Sequence, residues 1–305
     1  HKAIRRQRQM CIRDRLNTIL SCSENVRKRD DAYVLFRFYE IPQRDRADSI
    51  SINTNTQSAV KARDLRSNSK QILKLKKAYE AKYSNGFFAT KRGEIIPADK
   101  DKQYCIELSY LGKNLTAWYM QRPNLSYGET KIFDKYFNTL FKNDYLPEDA
   151  YALSFWMRKI MDAWTQENPL GLEEELLTMK AYAPYHLLFA ISMVFAKCNN
   201  QTNVPSPSEC LKVASENNLV DSIINIAANC LNSAISAEKN NCEQNNKSFI
   251  PQNWVKNKSC NAGIMSAIQN YFSFLPTMNK EMDSKLKNGV KIDSKYFSYR
   301  VQAED

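Results

Sequence analysis

Between residues 104 and 275 the apolar side chains fall at every third or fourth position, in runs cut by proline. That spacing lines one face of an α-helix; a strand would alternate at every second residue. Tyr104, Leu108, Leu111, Leu115 and Trp118 form the first run, with Pro123 as its end. Ile132, Phe133, Tyr136, Phe137, Leu140 and Phe141 form a second, rich in aromatics. Pro147 stands where a first helical turn tolerates proline. The stripe Leu153, Trp156, Met157, Ile160, Met161 and Trp164 behind it reads as core. Another helical unit covers 170–198 and is restarted at Pro184. Its segment 187–196 is strongly apolar but too short for a bilayer, which needs about twenty residues. His186 in this unit reads as a core histidine. Ser206-Pro207-Ser208-Glu209 is a capping box with proline at the first helical position, opening a helix to about Asn217. Val220, Ile223, Ile224, Ala227, Leu231, Ala234 and Ile235 mark the next helix, and the polar 240–247 run reads as a loop. Ile264, Ile268, Tyr271, Phe272 and Leu275 mark the last, with Pro276 as its stop; a short strand is expected over 296–301.

Ahead of the helical runs the pattern is mixed. Residues 33–39 are β-branched and aromatic, and Pro42 follows, so they read as a strand. Ser49, Ile50, Ser51 and Ile52 alternate as a half-buried strand or a helix start would. Shorter strands are expected at 87–89 and at Ile95-Ile96. The fold class that results is α+β and predominantly α. It has a small partial β-sheet region near the N-terminus and a multi-helix C-terminal region. The boundaries expected are 1–31, 32–100, 101–169 and 170–305.

The densest polar chemistry lies in 48–94. Asn53, Thr54, Asn55, Thr56 and Gln57 place five hydrogen-bonding side chains in a row, which favours turns and helix caps over regular ladders. A helix is expected from about Ser58. Through it Arg63, Arg66, Lys70, Lys74 and Lys77 recur at spacings of three and four, on one face. Leu65, Ile72, Leu75 and Tyr79 recur opposite them as the anchoring face. From Lys61 to Arg92 there are ten Lys and Arg against two acids, Asp64 and Glu80. Asn85-Gly86 signals a tight turn. Two readings fit. In one, Arg63, Arg66, Lys70, Lys74 and Arg92 bind phosphate, Asn55, Gln57 and Asn68 hydrogen-bond a base, a sugar or backbone, and Asp64 and Glu94 orient the arginines. In the other, Asp64 and Glu94 neutralise buried arginines, and Asn55 and Gln57 satisfy loop backbone.

The segments ISINTNTQSAVKARDLRSN, GFFATKRGE, ELSYLGKNLTAWYMQRP and IFDKYFNTLF, in that order, resemble the AIPR family of abortive-infection phage-resistance proteins. The resemblance covers about residues 33–141. It implies a TNTQ-like element before an RDLR-like helix start, an aromatic turn, a K/R-R-G-E element and a helix with a proline-bearing exit. It also implies a role in antiphage defence beside other defence-system proteins. An N-G-x-Q-T-like segment that the family carries upstream is not found, so the chain reads as starting partway through the domain.

Composition narrows the chemistry. The formal charge is +11 over 305 residues, which favours an acidic partner, with DNA the expected form of nucleic acid. Residues 1–15 resemble translated adaptor sequence and read as non-native. They hold six Lys and Arg and one acid, so without them the charge is +6. The eight cysteines form no C-x-x-C pair and there are two histidines, which argues against a Cys/His metal site and suits a reducing cytosol. No cofactor is expected and no membrane partner. P-loop, G-x-G-x-x-G, G-x-S-x-G and H-E-x-x-H motifs are missing, and seven glycines leave little for a glycine-cradled phosphate. Asp99 with Asp101, and Asp64 with Glu94, are weak candidates for Mg²⁺. Three functions remain: a nucleic-acid-associated defence component, a helical interaction or sensor module, and a truncated nuclease or nucleotide-processing enzyme.

Overall fold

A computed structural model describes residues 62–141, 145–165 and 167–302. The strand at 33–39, the 49–52 segment, the polar run with Asn55 and Gln57, and the 1–31 segment lie outside them. Ala62 onward forms one compact unit. The described chain opens with α1 (Ala62–Arg66), α2 (Lys70–Lys82), β1 (Phe87–Ala89), β2 (Cys105–Glu107) and α3 (Leu108–Trp118). The middle holds α4 (Glu129–Asp134), α5 (Phe137–Leu140), α6 (Pro147–Met161), α7 (Glu174–Leu177), α8 (Ala183–Cys198) and β3 (Val204–Pro205). Then come α9 (Pro207–Glu216), α10 (Val220–Gln244), α11 (Pro251–Lys256), α12 (Lys258–Met278), α13 (Lys280–Gly289) and β4 (Phe297–Ser298). The class is α+β and predominantly α, as the periodicity implies.

α8 is the centre. Its segment Ala183 to Ser192 is buried without a break, and α3, α6, α10 and α12 pack around it. A helix apolar on every side has no face for water, so it must be enclosed. Pro184 sits in its first turn, where the missing N–H costs nothing. His186 is fully buried within it, with Nδ1 3.1 Å from the Tyr182 carbonyl oxygen. One hydrophobic cluster runs from Ile72 to Val301 and crosses the 100/101 and 169/170 boundaries without interruption.

A buried polar node fastens the elements around α8. Asp149, in the first turn of α6, accepts from the Ser206 hydroxyl at 2.9 Å, the Ser208 hydroxyl at 2.6 Å and the Ser208 amide at 3.2 Å. Its other oxygen accepts from Tyr119 OH at 3.2 Å. Ser206 in turn accepts from the Glu209 amide, which is the capping box read from sequence. Trp118 Nε1 donates to Pro205 O at 2.7 Å, and Val301 N to Tyr119 O at 2.9 Å.

Several boundaries differ from the sequence reading. The helix expected to run through Arg63 and Lys77 is broken at 67–69. Ser67 Oγ donates to Asp64 O, and Ser69 is extended at φ −63°, ψ 152°, so short polar side chains divert the backbone. The helix expected from Tyr104 starts at Leu108, because Cys105 to Glu107 pair in parallel with β1, Phe88 opposite Ile106. The 132–141 helix is two short ones, with Tyr136 at φ −99°, ψ 0° between them. Ile95 and Ile96 form no strand; they sit on an exposed loop, Ile95 87% exposed. The 240–247 loop is mostly helix, since α10 runs to Gln244 and Asn246 then adopts φ 53°. Pro276 does not stop α12. It lies two residues from the end at Met278, where one lost N–H breaks little. The 296–301 strand is β4, two residues long and antiparallel to β3.

Candidate polyanion-binding face

The break at 67–69 sends the expected cations to different surroundings. Arg63, on α1, is 4% exposed. Its Nη1 donates to Glu107 at 2.9 Å, and Nη2 and Nε donate to Asp64 at 3.1 and 3.3 Å. Glu129 stands 3.5 Å from Nε. A guanidinium ringed by three carboxylates is already satisfied, and phosphate would have to displace one of them. Arg66 Nε donates to the Phe133 carbonyl at 3.2 Å, and its guanidinium lies 4.7 Å over the Phe137 ring. Together the two arginines fasten α1 to β2 and to the α4–α5 pair. Asp64 is the closest carboxylate to Arg63 in sequence, but Glu107 and Glu129 were invisible as its partners because they come from other elements.

α2 presents the remaining cations differently. Ile72, Leu75 and Tyr79 are buried, and Lys70, Lys74 and Lys77 are exposed on the opposite side. These lysines sit at i, i+4 and i+7, one above the next. Asn68 is exposed in the linker before them. Lys76 turns the other way. Its ammonium is 3.3 Å from Glu94 Oε1, 3.7 Å from Glu80, and 4.7 Å over the Phe87 ring.

Glu94 closes the loop after β1. Its Oε2 accepts from the Thr90 amide at 2.8 Å and the Lys91 amide at 3.1 Å, while Oε1 takes Lys76. Burial alone would raise the Glu94 carboxyl. The two amides and the Lys76 ammonium outweigh it and hold its pKa below the usual range. Gly93 supports the loop at φ +70°. Arg92, next to it, is exposed. The Lys76–Glu94 contact therefore places the 90–94 loop, with Arg92, beside α2. Arg63, Asp64 and Arg66 belong to the α1 cage instead. Among the described residues, no group of three or more His, Cys, Asp or Glu is arranged to hold a metal ion.

The AIPR protein family matches residues 16–245 of the 305. The chain belongs to the AIPR family. The AIPR match takes in the Arg63 cage, the Glu94 loop, the α2 lysines and all of α8, and reaches well past the 33–141 segments that carry the resemblance in sequence. α11, α12, α13 and β4 of this AIPR protein lie beyond it. No curated protein and no solved structure matches the chain.

Proposed function

We propose that this AIPR protein acts in abortive-infection defence by engaging nucleic acid, with duplex DNA as the primary partner. Membership of the AIPR family supports the defence role. The observation that carries the nucleic-acid part is the exposed row Lys70, Lys74 and Lys77 on α2, with Arg92 on the loop that Lys76 and Glu94 fix beside it. Lysines stacked on one helix face track phosphates without reading sequence, so binding is salt-dependent and tolerant of base order. Arg63 and Arg66 position α1 in this reading and leave the phosphate contacts to the lysines. The six cysteines among the described residues are free thiols, which suits a reducing compartment such as the cytoplasm.

Titration of a mixed-sequence duplex over a range of salt tests this. Four phosphate contacts give a slope of log K against log salt of about −3.5. The variant K70E/K74E/K77E is expected to weaken binding by about a hundredfold at low salt while keeping the wild-type helical circular dichroism. Duplex affinity indifferent to salt, or unchanged in that variant, removes the reading.

A second reading, a helical module that recognises a phage or host protein or another defence component, is favoured by α12. Phe274 is 61% exposed and Met278, one turn on, 76%. No described helix is long and apolar enough to cross a membrane, so these side chains do not mark a bilayer span. A pull-down that depends on Phe274 and Met278 and ignores the lysine reversals would support this reading over the first.

A further inference from the structure

A second cationic surface lies on elements that share nothing with α2. Lys256, the last residue of α11, holds its ammonium 5.2 Å from the ring centroid of Tyr182 and 5.7 Å from that of Tyr127. The two rings are 5.1 Å apart and tilted by 58°. On α3, Lys113 lies 5.7 Å over the ring of Tyr110. The two groups are stitched together by backbone contacts. Ser126, beside Tyr127, donates its hydroxyl to Lys113 O at 3.0 Å, and Asn124 donates to Lys256 O at 3.5 Å.

Two features of this cluster point outward. Tyr110 is 55% exposed and Tyr127 42%, well above the ordinary burial of a tyrosine ring. Neither Lys113 nor Lys256 meets a carboxylate among the described residues. Glu129, the acid nearest in sequence to Tyr127, is committed to Arg63. The surface is thus cationic, uncompensated, and faced with aromatic rings.

We propose that Tyr110, Lys113, Tyr127, Tyr182 and Lys256 form a binding surface for single-stranded nucleic acid. The lysines take phosphates and the exposed rings of Tyr110 and Tyr127 take unpaired bases. Every base has a π face, so such stacking is sequence-tolerant, and a duplex, whose bases are already stacked inside, gains nothing from the rings. An acidic peptide would match the charge but leave the rings unused, which is why the aromatic exposure favours the nucleic acid. The inference does not depend on the α2 lysines, since no residue is common to the two surfaces.

The test uses the full chain and three probes: a fluorescent twelve-nucleotide oligo-dT, a hairpin duplex of similar charge, and a poly-glutamate peptide. Y110L/Y127L keeps every charge and removes the exposed rings. It is expected to weaken oligo-dT binding at least tenfold and to leave hairpin binding unchanged. K113E/K256E is expected to abolish oligo-dT binding. K70E/K74E/K77E is expected to retain oligo-dT binding, so failure of the α2 reading and failure of this one give different patterns. Oligo-dT affinity equal in wild type and Y110L/Y127L overturns the proposal, as does poly-glutamate displacing oligo-dT charge for charge. If Y110L/Y127L is destabilised, the single variant Y110L, at the more exposed ring, carries the same comparison.

Discussion

Arg63 shows how one residue can satisfy a motif and still be turned away from a ligand. Its sequence context, a cation at helical spacing from Arg66 and Lys70, fits a phosphate-binding face as well as a structural anchor. The decision belongs to Glu107 and Glu129, which fold brings from β2 and α4. No local pattern announces them. Removal of the guanidinium leaves Asp64, Glu107 and Glu129 repelling one another around a site that Arg63 kept nearly dry. Breaking a buried pair costs about 3–5 kcal/mol. These carboxylates are 24–40% exposed and partly solvated, so the expected loss for Arg63→Met is about 2 kcal/mol. Urea denaturation of R63M measures it. Duplex DNA binding by the folded fraction should stay at the wild-type level. A variant that is fully stable but loses DNA would return Arg63 to the phosphate contacts.

At the scale of elements, the sequence was legible wherever side chains alone decide. The α6 start at Pro147, the restart at Pro184 and the Ser206 capping box follow from proline geometry and short polar side chains, and each is where the residues place it. The apolar stripe Leu153, Trp156 and Ile160 is core. Legibility ended where a distant partner overrides local spacing. Cys105, Ile106 and Glu107 fit a helix beginning at Tyr104 but are drawn into a parallel pair with Phe87, Phe88 and Ala89. Parallel pairing leaves no turn signature, since the strands are not adjacent in the chain. The one sequence clue was Gly86. A Cβ there would meet Tyr104 O at 2.8 Å and Tyr104 Cβ at 3.1 Å, so glycine lets the two chains converge just before the strands pair. Gly86→Ala is therefore expected to destabilise by about 1–3 kcal/mol through backbone displacement, despite alanine's ordinarily better unfolded-state entropy. A thermal melt reads it. An unchanged or raised Tm would mean that the pair tolerates separation, and that β1 and β2 contribute little to stability.

The whole molecule is built on enclosing α8, and that has a consequence for acid stability. His186 is sealed in the centre, and burial pushes its pKa down to about 4, against the opposing hydrogen bonds to the backbone of Tyr182 and Val255. In the unfolded chain a histidine titrates near 6.5. Between those values the unfolded state binds a proton that the folded state refuses, so stability rises with pH across the interval and falls on acidification. The stabilisation is complete above about pH 6.5 and is lost progressively as pH drops toward 4, a total of about 3 kcal/mol. Glu94, Glu148 and Glu175, whose pKa values are lowered, act in a different window: their contribution is present above the normal carboxylate pKa and disappears only below it. Chemical denaturation at pH 7, 5.5 and 4.5 separates the two, because the loss down to pH 4.5 belongs chiefly to the imidazole. In His186→Gln, which cannot gain a proton, the loss over that span should shrink to a small remainder even if the variant is less stable throughout. A wild-type stability that is flat from pH 7 to 4.5 would mean that the ring can be protonated in place, and that the core around α8 admits water or a counter-charge.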